Sequence, residues 1–101
     1  MRLLIFFDLP TITVKDKREY NKFRKFLVKN GFLMKQESVY SKIVINRTTL
    51  EIFKKSIKKN APSNGIVEML EVTEKQYCSI EYIVGKKQEV IIDSDERVVR
   101  I

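Results

Sequence analysis

The sequence predicts an α+β domain, one sheet with two helices on a single face, and three observations carry that prediction. A near-continuous apolar run opens the chain, two helical segments of 3.6 periodicity follow with capping signals, and short apolar strands separate them. At 101 residues the chain is one domain by length, and an apolar fraction of 44% is enough for one modest core.

Residues 2–8 (RLLIFFD) are apolar almost throughout and end on a charge. A strand with no polar alternation is buried on both faces, and so is central in its sheet. Leu9-Pro10 breaks it. Thr13 then offers an N-cap with Asp16 three residues on, and a helix is expected to about Lys29, stopped by Asn30-Gly31. At 100° per residue, Tyr20, Phe23, Phe26 and Leu27 share one side, while Arg18, Lys22, Lys25 and Lys29 form a stripe on the other. Phe32–Gln36 reads as a second strand and Ser38–Ile45 as a third, with Val39, Ile43 and Ile45 alternating. Thr48 with Glu51 repeats the capping pattern. The helix it starts should bury Leu50, Phe53 and Ile57 and expose Lys54, Lys55, Lys58 and Lys59. The break at residues 60–65 leads to a fourth strand, Ile66–Val72, and a fifth is expected over Tyr77–Val84. The tail holds an apolar cluster Val90–Ile92, an acidic turn Asp93–Glu96 and a last apolar patch Val98–Ile101.

The order β-α-β-β-α-β, with an added C-terminal strand and tail, is the ferredoxin-like arrangement. It implies a core of residues 1–85 and a tail of 86–101. With both helices on one side, the other sheet face is expected to be open, and a second copy is the simplest partner for it.

The net charge of +7 is unevenly spread: residues 1–60 carry +10 and the remainder −3. A basic first half suits a polyanion, and a stripe on an ordered helix holds its charges in register with a phosphate backbone. The competing reading of the stripe is a solvated surface. Cys78 is the only cysteine, so no intrachain disulfide can form, and its apolar surroundings in sequence suggest a core position. The chain lacks histidine, which removes Ser-His-Asp and Cys-His catalysis and nearly every zinc site. It also lacks a run of about 18 apolar residues, so a cytoplasmic protein without membrane contact is expected. Any enzyme chemistry falls to carboxylates, hydroxyls, Lys/Arg and a hard metal.

Asp8 is the candidate ligand and catalytic residue. A carboxylate at the end of a central strand is held rigidly where a loop opens to solvent. Mg²⁺ takes one or two protein carboxylates and completes its octahedron with water and phosphate oxygens. Two copies packed sheet to sheet about a two-fold axis could bring two Asp8 side chains to one ion. Alternatively, Asp8 only ends the strand and caps the turn. An RNA-binding module on the same fold is disfavoured, since residues 30–34 (NGFLM) lack the second aromatic of the RNP pattern.

The segments LIFFDLP (within residues 3–10), YNKFRKFL (20–27), Asn30-Gly31-Phe32, QESVY (36–40), TEKQ (73–76) and ERVV (96–99) together resemble the CRISPR-associated Cas-two family. They look most like the version found beside type II systems. The resemblance implies a ferredoxin-like homodimer at the centre of the spacer-acquisition complex, flanked by Cas-one integrase dimers, with pre-spacer duplex DNA across it. It also implies an endonuclease on RNA or DNA that depends on Mg²⁺ or Mn²⁺, with Asp8 as metal ligand and single-stranded RNA a further partner. Ser38 and Tyr40 would lie beside the dimer axis. Residues 86–101 would reach the partner copy or the integrase.

Overall fold

The computed structural model describes residues 1–86 and the backbone of 90–92 and 98–100. Strands β1 (Arg2–Asp8), β2 (Leu33–Gln36), β3 (Val39–Ile43) and β4 (Ile66–Val72) form one sheet in the order β2-β3-β1-β4, with antiparallel neighbours throughout. Helices α1 (Val14–Lys29) and α2 (Arg47–Asn60) complete the ferredoxin-like order expected from the sequence. β1 is central as its apolar run requires: Leu4 faces Ser41 on one side and Leu70 on the other. Its odd-numbered residues Leu3, Ile5 and Phe7 enter a single core with Phe23 and Leu27 of α1 and Leu50 and Ile57 of α2. One continuous core drawing on both helices places them on the same sheet face.

α1 starts where its capping box predicts. The Thr13 hydroxyl accepts from the Asp16 amide at 3.0 Å, and the Asp16 carboxylate accepts from the Thr13 amide at 3.1 Å. Its end turns on Gly31, whose φ of +85° lies in the left-handed region.

Several expectations are corrected. α2 is capped by Asn46, not Thr48: the Asn46 side chain accepts from the Thr49 amide at 2.8 Å, and Asn is among the strongest N-caps. In β3 the core takes Tyr40, with Val44 just beyond the strand, whereas Val39 and Ile43 point to the opposite face and Ile45 is exposed. Tyr77–Val84 is not a strand. Thr73 and Gln76 close a second capping box that starts a short helix, α3 (Glu74–Cys78), and residues 79–86 have no regular structure. The helix leaves Cys78 exposed instead of in the core. The added strands lie later, as an antiparallel pair β5 (Val90–Ile92) and β6 (Val98–Arg100); the expected acidic turn Asp93–Glu96 falls outside the described residues.

Candidate nucleic-acid and metal site

Alternation along β1 puts Arg2, Leu4, Phe6 and Asp8 on the face away from the helices. Asp8 is exposed, pairs in register with Ile66 of β4, and joins none of the ion pairs among the described residues. No group of three or more Cys, Asp or Glu able to hold a metal occurs among those residues. The described residues of one protomer therefore supply no ready-made set of three ligands here. The donor chemistry of Asp8 still fits a hard cation, which needs as few as one or two protein oxygens.

The strand end beneath Asp8 is braced by aromatic packing. The Phe7 ring lies 5.4 Å from Phe23 and 5.8 Å from Tyr20, both edge to face, and 5.7 Å from Tyr40 in a stacked arrangement. The Phe7 amide donates to the Ser38 carbonyl at 3.1 Å. Tyr40 is fully buried, and its hydroxyl accepts from Arg24 Nε at 3.0 Å. Its side chain thus ties β3 to α1 and would have to leave the core to line a surface between copies. Ser38 is exposed beside the strand end. Burial, with the nearby Glu37 charge and Tyr40 adding to it, pushes the Tyr20 phenol above its ordinary pKa, against a smaller opposing pull from Arg24.

The cationic surface is weighted toward α1. Arg18, Lys22, Lys25 and Lys29 are all exposed and take part in no ion pair among the described residues. The first half of α2 is engaged within the protein. Arg47 donates two bonds to the Glu71 carboxylate, at 3.0 and 2.6 Å, and lies 3.6 Å from Glu51. The hydrogen bonds to Glu71 hold its guanidinium even more firmly protonated than usual. Lys54, expected to be exposed, is partly buried and stands 3.9 Å from both Glu51 and Glu71. Lys55, Lys58 and Lys59 are exposed as expected.

The sheet face away from the helices is not wholly open. Arg2 Nε bonds both carboxylate oxygens of Glu74, at 2.9 and 3.1 Å, and its guanidinium sits 4.0 Å from the Tyr77 ring centre. The Lys35 ammonium lies 5.0 Å from the rings of Tyr77 and Tyr82. Segment 73–86 is thereby tied across the face, and Leu4 and Ser41 beneath it are only 6% and 3% exposed. Ile43, Ile66 and Leu70 stay largely exposed around this cover. No local pattern signals these ties, because Arg2, Lys35 and Tyr77 are far apart in the chain.

Fold, charge and a strand-end carboxylate together define a small, basic ferredoxin-like domain, an architecture that hosts many functions. Residues 1–80 match the family described as CRISPR associated protein Cas2. A protein of Treponema denticola named CRISPR-associated endoribonuclease Cas2 is 50% identical over 99 residues, covering 98% of each chain. Proteins of the same name from Ligilactobacillus salivarius and Lacticaseibacillus rhamnosus are each 43% identical, covering 98% and 100% of both chains. The chain belongs to the Cas2 family. No helix among its described residues is long and apolar enough to cross a membrane.

Proposed function

We propose that this protein is a CRISPR adaptation protein of the type II version: a nucleic-acid-binding homodimer at the centre of a complex with the Cas-one integrase. In this reading it carries pre-spacer duplex DNA and also cleaves phosphodiester bonds with Mg²⁺ or Mn²⁺. The names of its relatives favour RNA as the strand cut. The observation that carries the reading is Asp8, an exposed carboxylate at the end of the central strand, with no group of three metal-binding side chains among the described residues. Two protomers meeting beside this strand end would supply two such groups to one ion. When bound, a divalent ion polarises a phosphoryl oxygen and lowers the pKa of water.

The chain's own residues do the rest. The aromatic cluster under Phe7 and the flanking strands fix the Asp8 backbone. Arg18, Lys22, Lys25 and Lys29 hold the polyanion through its phosphates, without regard to base sequence. The exposed Ile43, Ile66 and Leu70 supply apolar area for the second copy. Residues 86–101 contact that copy or the integrase.

Asp8→Asn keeps the shape and removes the charge. It is expected to abolish Mg²⁺- or Mn²⁺-dependent cleavage of RNA while leaving sedimentation as a dimer unchanged. Wild-type cleavage by Asp8→Asn would refute the enzyme reading. A lone 12.0 kDa particle, even with DNA present, would refute the dimer.

A further inference from the structure

Gly65 sits at the turn into β4 with φ of +91°, one residue before the Asp8–Ile66 pair. A Cβ at this position would stand 2.7 Å from the Asp8 carbonyl oxygen, 2.8 Å from Leu9 Cδ2 and 3.1 Å from Leu9 Cα. Ordinary carbon contacts lie at about 3.5–4.0 Å, so the Asp8–Leu9 backbone would have to retreat by roughly 0.8 Å. Neither side yields easily. Leu9 is buried in the core, and Asp8 is the last residue of a strand paired on its other side through Phe6 and Val39.

We infer that Gly65 is a positioning residue for Asp8: its bare Cα lets the turn before β4 close directly on the Asp8–Leu9 backbone and fixes where the carboxylate stands. The inference rests on the reading of Asp8 as the metal ligand. The need for glycine here is double, since the left-handed φ excludes most side chains and the close approach excludes all of them. Ligand groups must be held to about 0.5 Å, so a displacement of this size acts on metal affinity before it acts on anything else.

The test uses the full-length dimer and Mn²⁺ as probe, with affinity read by electron paramagnetic resonance. RNA cleavage is followed against Mn²⁺ concentration, and folding by circular dichroism and sedimentation. Gly65→Ala and Gly65→Asn are compared with Asp8→Asn and with Ser63→Ala in the same loop. Asn tolerates the left-handed φ yet still brings a Cβ, so it separates close approach from backbone strain. Both Gly65 variants should weaken Mn²⁺ binding by about 10- to 100-fold, with KM for RNA and the dimer unchanged and Ser63→Ala like wild type. A simple loss of folded protein would instead lower every reading in parallel. Wild-type Mn²⁺ affinity in Gly65→Asn, with binding lost in Asp8→Asn, overturns the role of Gly65 and leaves that of Asp8 standing. Mn²⁺ binding retained by Asp8→Asn overturns the metal reading, and this role with it. If neither Gly65 variant folds, amide relaxation of the wild type decides. Order parameters for Asp8 and Leu9 near 0.85 support the lock, and values below about 0.6 overturn it.

Discussion

Phe7→Leu isolates the aromatic packing that holds the end of β1. Leu keeps most of the apolar surface, so the loss comes from geometry. Three ring contacts disappear, at 5.4, 5.7 and 5.8 Å, each worth about 0.5–1.5 kcal/mol beyond area burial. The void left beside Phe23 and Tyr40 adds about 1 kcal/mol. Partial collapse of the neighbours takes back some of this, which leaves a destabilisation of about 3 kcal/mol. A domain of this length has a total stability of about 5–15 kcal/mol, so the change is large. With a urea slope of about 1–1.5 kcal/mol per molar, the unfolding midpoint should fall by about 2–3 M. A Tyr20→Leu background should recover about 1 kcal/mol of coupling between the two rings. A midpoint shift below about 0.5 M would refute the claim that this cluster anchors the strand, and so would strict additivity with Tyr20→Leu.

Two further outcomes follow from charge. Reversing Lys22, Lys25 and Lys29 together to Glu should flatten the fall of log K with log salt for duplex DNA, read by fluorescence anisotropy, from a slope of roughly −4 to −5 to about −2. An unchanged slope would remove α1 from the binding surface. Tyr20 predicts the alkaline limit of stability. Its folded-state pKa is raised above 10.0, so the unfolded chain loses this proton first as pH rises. The resulting stability is complete below pH 10 and is lost as pH climbs through the raised value. Tyr20→Phe should reduce that alkaline slope in urea titrations, and an identical pH profile would refute the assignment.

What could be read in the sequence was whatever local chemistry decides. The apolar run at residues 3–7 read as a central strand, and Thr13 with Asp16 marked the first turn of α1 because both partners lie within that turn. The same logic was available at Thr73 and Gln76, but the apolar alternation after Tyr77 suggested a strand there. The capping box prevailed, and Cys78 moved from core to surface with it. β3 was misphased for a different reason: apolar residues line both of its faces, so alternation alone cannot say which of Val39 or Tyr40 points inward. Asp8 was legible as a strand-end carboxylate. The contact of Gly65 with its carbonyl was not, because only the register of β1 against β4 brings those residues together. The partial burial of Lys54 was not legible either, because Glu71, one of its two carboxylate neighbours, lies on another element.

The central place of β1 also sets the order in which the domain can be made. β1 must wait for a strand made some sixty residues later, since Arg2 meets Val72 and Asp8 meets Ile66. Until then one of its two hydrogen-bonding edges has no partner, and a nascent chain halted before β4 would expose its most apolar strand to chaperones or to neighbouring chains. Pairings so distant in sequence slow folding relative to helical domains of equal size. The β1–β3 pair can form early, and the domain is expected to close late, when β4 takes the edge of β1 left open until then.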